Sequence, residues 1–110
     1  MMTNAKKEFI KEAKGKTVLC AKIAHGYYGY GLPDDRKKYH LPCGYGKAEY
    51  KAFLQSLNFA YDAGYGTQEL HGTIWYTDGT YSDRYVYDGA ECWEYRKAPV
   101  IPEYLKKGER

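Results

Sequence analysis

The chain has 110 residues, room for one modest core and little space for a deep, water-excluding pocket. Its 17 Lys and Arg against 14 Asp and Glu leave a formal charge of +3 and a pI of 8.6, below the value of about 9 that marks a dedicated nucleic-acid domain. No run is apolar enough for a signal peptide or a membrane span, and three Cys without Cys-x-x-Cys spacing argue against a disulfide framework, so a reduced, cytoplasmic protein with no membrane contact is expected.

The reading in chain order is a single α+β domain over 1–110. Residues 1–15 form a helical or flexible segment, and 99–110 an irregular tail. Asn4 to Lys14, rich in Ala, Lys and Glu, predicts a short helix with Phe9, Ile10 and Ala13 as its apolar points. "TVLCAKIA" predicts the first strand, with Val18, Cys20 and Lys22 on one side and Leu19, Ala21 and Ile23 on the other. His25 to Gly46, dense in Gly, Tyr and Pro, reads as a loop, with a second strand at Arg36 to Leu41 returning beside the first.

"KAEYKAFLQSLNFAYDAG" predicts the central helix. Tyr50, Phe53, Leu54, Leu57 and Tyr61 recur at three- and four-residue spacing as one stripe, with Gly64 as C-cap. Phe59 then falls on the opposite helix face, either under a second layer or exposed as a contact residue. Asp78-Gly79 and Asp88-Gly89 each suit a two-residue hairpin loop and predict a meander of Glu69 to Thr77, Thr80 to Tyr87 and Ala90 to Arg96. The order is approximately β-β-α-β-β-β, an antiparallel sheet with the central helix on one face. The prolines of "APVIPEYLKKGER" keep the tail out of regular pairing.

Those turns pair Tyr76 with Tyr81, Trp75 with Ser82, Thr73 with Arg84, Arg84 with Trp93 and Tyr85 with Cys92. One face thus carries Trp75, Arg84, Val86, Trp93 and Tyr95; the other carries Ile74, Tyr76, Tyr81, Tyr85, Tyr87 and Cys92. Asp83 and Glu94 share the Tyr-rich face, which points that face to water. The 14 Tyr against 3 Phe exceed what a core needs, since Phe buries the same ring without a hydroxyl to satisfy. Tyr among Gly, Ser, Asp and Thr is the composition of a protein-binding surface, set against the plainer reading that Tyr half-buries well in strands. The candidate partner-binding residues are Tyr76, Tyr81, Asp83, Tyr85, Tyr87 and Phe59.

Other chemistry is thinner. His40 and Cys43, near Asp34 and Asp35, form half a metal site at most and need His25 or His71 to complete it; an incidental thiol in a loop is the plainer reading, and neither a metal nor a cofactor is expected. "GYYGYG" is not followed by a helix start, so its amides lack the helix N-terminus that holds phosphate. Arg36, Lys37, Lys38 and Tyr39 beside the Tyr-Gly loop offer phosphate contacts and stacking surfaces, a patch that Lys6, Lys7, Lys11, Lys14 and Lys16 could extend; a solvated basic face is the commoner meaning of such runs.

Leu57 to Pro102 resembles a group of small proteins carried by phages and other mobile elements. The matching points are Tyr61-Asp62, Gly64-Tyr65-Gly66, Glu69-Leu70, the Trp75-x-x-Asp78-Gly79 hairpin, and Tyr87-Asp88-Gly89 with Glu91, Trp93 and Glu94. The resemblance covers a little under half the chain and carries over no catalytic residue. Such proteins are often inhibitors of host defence, anti-CRISPR proteins among them. It implies a non-enzymatic inhibitor of a host defence protein in the bacterial cytoplasm, with a CRISPR-Cas effector the favoured target. The alternative is a small DNA- or RNA-binding accessory protein, and an exposed aromatic face also suits pairing of two copies.

Overall fold

Ala, Lys and Glu after a capping Asn4 wind the first helix in the computed structural model, which describes residues 2–64, 66–99 and 102–106. Asn4 closes a short strand, β1 (Met2–Asn4), and its side chain accepts from the Lys7 amide at 3.0 Å to open α1 (Ala5–Ala13). Phe9 and Ala13 are buried as expected, whereas Ile10 is exposed. β2 (Val18–His25) follows Gly15, and β3 (Lys37–Leu41) returns beside it after the Gly/Tyr loop. A register shift between Val18 and Cys20 corrects the simple alternation expected for β2, placing Val18 with Ala21 and Ile23 on the buried side.

The central helix is shorter than its apolar periodicity suggests. α2 (Lys47–Ser56) starts where Glu49 reaches back to the Gly46 amide at 3.2 Å, and ends at Leu57, whose amide bonds to the Leu54 carbonyl at 3.1 Å. Asn58 and Phe59 turn the chain, and β4 (Ala60–Asp62) pairs antiparallel with β1. Tyr61 therefore belongs to a strand, not to the helical stripe, and Gly64 is not a helix cap; its amide donates to Asp62 Oδ1 at 2.9 Å.

The meander appears as β5 (Leu70–Tyr76), β6 (Tyr81–Tyr87) and β7 (Ala90–Arg96). The resulting five-stranded antiparallel sheet has the order β3-β2-β5-β6-β7, with β1-β4 as a separate pair, in an α+β fold. Asp88 and Gly89 both take positive φ (52° and 83°), the two-residue turn expected, and the β6–β7 register matches the expectation, with Arg84 opposite Trp93 and Tyr85 opposite Cys92. The β5–β6 turn holds one residue more. Tyr76 bonds to Thr80, so Thr77, Asp78 and Gly79 form a three-residue loop with Gly79 at φ 88°, and Trp75 pairs with Tyr81, not Ser82. That single residue turns Trp75 outward and brings Ile74 and Tyr76 inward.

α1 and α2 cover one face of the sheet. Phe9 meets Phe53 edge-on at 5.4 Å and Trp93 at 6.4 Å, and these rings join Leu41, Leu57, Leu70 and Ile74 in the core. The tail is not wholly irregular: a single helical turn, α3 (Glu103–Lys106), follows Pro102.

Candidate functional site

Strand alternation assigns the uncovered face row by row. His40, Lys22, Thr73, Asp83 and Glu94 lie opposite one another across all five strands, and Cys20, Trp75, Tyr81 and Arg96 form the next row. Lys38 opposes Ala24, which opposes His71, while Tyr85 opposes Cys92 toward the far end. The face is thus electrically divided. Cationic and imidazole groups crowd the β3-β2-β5 half, and Asp83 and Glu94 mark the β6-β7 half, where Arg96 reaches Glu94 at 3.2 Å.

The basic half is concave. Lys22, Arg36, Lys38, His40, His71 and Thr73 line a depression of about 350 Å³ floored by the backbone at Ile23 and Gly72. Gly72 has φ 149°, and a Cβ there would stand 2.3 Å from the Lys22 carbonyl oxygen, so close approach of β5 to β2 excludes any side chain. Asp34 organises the rim. It accepts from Arg36 Nε at 2.9 Å and Nη2 at 3.1 Å, and it pairs with Lys38 at 3.1 Å; these cations hold its carboxyl well below the usual range. The Arg36 guanidinium also lies 4.3 Å from the centre of the Tyr28 ring, so Asp34 and Tyr28, both in the loop before β3, fix its plane together. His71 Nε2 lies 3.2 Å from the Gly26 carbonyl oxygen, and burial, its largest influence, lowers the imidazole pKa.

The other half is aromatic. Trp75, Tyr85 and Tyr87 are exposed and Tyr81 is half-buried, with Tyr85 and Tyr87 stacked at 6.5 Å. Lys22 Nζ lies 5.8 Å from the Trp75 ring, linking the two halves. Among the expected contact residues, Tyr81, Asp83, Tyr85 and Tyr87 do share the open face. Tyr76 does not: it is 2% exposed, its hydroxyl donates to Ser82 Oγ at 2.7 Å while Ser82 donates on to Glu12, and burial pushes its pKa up to about 12. Phe59 is no helix residue and no open contact; it is half-buried, stacked on His25 at 4.4 Å and Tyr39 at 5.7 Å.

The basic run divides because alternate residues of a strand face opposite ways. Arg36 and Lys38 line the depression, whereas Lys37 lies over Tyr39 (5.7 Å) on the side of the helices, and Tyr39 is drawn toward the core. The lysines of α1 and of the turn after it do not extend the patch, since α1 lies across the opposite face. Lys16, for example, donates to the Glu12 carbonyl at 2.7 Å and sits 4.5 Å from the Tyr95 ring. His40 is on the open face and Cys43 is exposed beyond β3, but among the described residues no three His, Cys, Asp or Glu side chains group as metal ligands.

On the covered face an ionic cluster joins four elements. Arg84 donates to Glu8 at 3.1 Å, to the Tyr61 hydroxyl at 2.8 Å and to Glu91 at 2.8 Å, and the Tyr61 hydroxyl donates to Glu8. Glu91 also accepts the Glu69 and Leu70 amides at 2.8 and 3.0 Å, capping the start of β5. Burial raises the Tyr61 pKa; for Arg84 burial opposes the charge, but Glu8, Tyr61 and Glu91 outweigh it and raise the pKa.

Comparison with protein-family models, with curated proteins and with solved structures returns no match to this chain.

Proposed function

We propose that this protein is a non-enzymatic inhibitor of the mobile-element type that lays the uncovered face of its sheet on a host defence protein, with a CRISPR-Cas effector as the favoured target. The observation that carries the binding role is the grouping of Trp75, Tyr81, Tyr85 and Tyr87 on the face opposite α1 and α2. Large, stiff aromatic side chains give contact area at little rotamer cost, and hydroxyls let the tyrosines stay solvated until a partner arrives. The choice of target comes from the resemblance of Leu57 to Pro102 to phage and mobile-element proteins.

The test is inhibition of target cleavage by purified CRISPR effectors, with Trp75→Ser and Tyr85→Ser proteins beside the parent. Inhibition by the parent, lost in both variants while their circular dichroism is unchanged, supports the reading. Equal inhibition by all three moves the interface elsewhere. A second reading, nucleic-acid binding, is favoured by one observation, the concentration of Lys22, Arg36, Lys38 and His71 around one depression of the same face.

A further inference from the structure

We propose that the depression over β3, β2 and β5 is a phosphate-binding track for single-stranded nucleic acid, with Trp75 as the platform for a base. This deepens the reading of the uncovered face by naming a second ligand for its basic half, the strand carried or cut by a nucleic-acid-processing partner.

Charge complementarity is the first argument. Lys22, Arg36 and Lys38 line the depression with His40 and His71, and the carboxylate at its rim, Asp34, is already engaged by Arg36 and Lys38. Asp34 uses Arg36 Nε and one edge of Nη2, so Nη1 is left to donate from a guanidinium whose plane is fixed by Tyr28. Thr73 Oγ1 donates to Asp83 at 2.7 Å, which turns that carboxylate toward the hydroxyl at the border between the halves.

Geometry distinguishes a polymer from a lone anion. Lys38 and His40 are two residues apart on one strand, a spacing of about 7 Å, and Lys22 stands beside His40 on the next. Lys38, His40 and Lys22 therefore form an extended line of polar groups and not a point, as a repeating phosphate chain requires. A concave sheet face also suits a strand with splayed bases better than a duplex, whose grooves are read by an inserted helix or ribbon. Trp75 lies one row away from Thr73 and Lys22, is 36% exposed, and has Lys22 Nζ 5.8 Å from its ring. A base on that ring would leave its phosphate within reach of the lysine.

The experiment is fluorescence anisotropy of the full chain with fluorescein-labelled oligo-U and oligo-dT of twelve nucleotides at two salt concentrations. Contacts from Lys22, Arg36 and Lys38 at about −0.7 each in the logarithmic salt slope predict roughly 20-fold weaker binding for a fourfold rise in salt. A Lys22→Glu/Lys38→Glu protein should lose binding, and Trp75→Ala should weaken it by about tenfold, the lower range of one stacked base. Lys6→Glu/Lys7→Glu makes the same change in net charge on α1 and should leave the affinity nearly as it was. Absence of binding at the lower salt, equal loss in both double variants, or equal displacement by a poly-glutamate peptide each overturns the proposal. Tyr85→Ser/Tyr87→Ser should still bind oligonucleotide even where it no longer inhibits an effector, so failure of this inference and failure of the inhibitor reading are told apart.

Discussion

Arg84 and Glu91 approach to 2.8 Å across the β6–β7 hairpin, and each side chain is only 2% exposed. Two buried charges of this kind are tolerable because they satisfy each other and their neighbours: Arg84 also reaches Glu8 and Tyr61, and Glu91 also takes two amides of β5. Removing Glu91 strips Arg84 of its buried counter-charge, leaving only the more exposed Glu8, and deprives two β5 amides of their acceptor. Glu91→Ala should therefore cost about 3–5 kcal/mol in urea unfolding. The double variant Arg84→Met/Glu91→Gln should lose less than the sum of the Arg84→Met and Glu91→Gln losses, because Gln still accepts from β5; full additivity of the two single losses would contradict the coupling.

Gly72→Ala is expected to damage the sheet although alanine is small. Its Cβ would meet the backbone oxygen of Lys22 at 2.3 Å, and φ 149° disfavours any L side chain. That oxygen and the Ile23 Cα, 3.0 Å from the added Cβ, are both backbone atoms, so β5 must move from β2, at a cost of about 3 kcal/mol or more. Gly15→Ala is the comparison: it has open space around it and suffers only the conformational penalty of φ 79°, about 1 kcal/mol. Thermal melts of the two variants check the ordering.

Tyrosines on the two faces should behave oppositely. Tyr76→Ala removes a core ring and is expected to cost about 3–5 kcal/mol. Tyr85→Ser, at a position 38% exposed, should change stability by less than about 1 kcal/mol while weakening partner binding. Chemical denaturation beside a binding assay separates the two effects.

His71 should titrate below the ordinary histidine value of 6.5, because its burial disfavours the imidazolium. The unfolded chain then binds the proton more readily than the folded one. Stability from this group is accordingly present above the unfolded pKa and is lost as pH falls through it toward the folded pKa. NMR titration of the ring shifts gives the pKa. His71→Asn should flatten the dependence of unfolding free energy on pH between about 6.5 and the lower folded value.

The sequence and the structure part where local signals admit two geometries. The Asp88-Gly89 turn was legible to the residue, because both positions take positive φ and fix a two-residue loop. Asp78-Gly79 looks the same in sequence, yet Gly79 serves as the left-handed last residue of a three-residue loop, and the glycine preference cannot tell the two apart. Tyr61 extends the helical spacing of Tyr50, Phe53, Leu54 and Leu57, but the pairing of Ala60–Asp62 with Met2–Asn4 draws it into a strand, and three-residue pairs so distant in sequence leave no local mark. The ionic cluster had a usable signal: with Arg84 placed beside Trp93 on the covered face, a carboxylate had to be near, and Glu91 lies diagonally across. The basic depression was legible in part: the run at Arg36 to Lys38 marked two of its residues, whereas Lys22 on β2 and His71 on β5 join them only in the folded sheet.

The Thr77–Gly79 turn acts on the whole sheet as a parity switch. With three residues in the loop, Trp75 stands outside and Tyr76 inside; with two, the same strand would have to present the opposite set. One inserted or deleted residue at an exposed loop tip thus exchanges the interior and exterior of β5 relative to β6, with no side chain altered in either strand. Relatives that differ in length at this turn should either preserve odd parity or carry a compensating bulge, and those that do neither would display a different recognition face on the same scaffold.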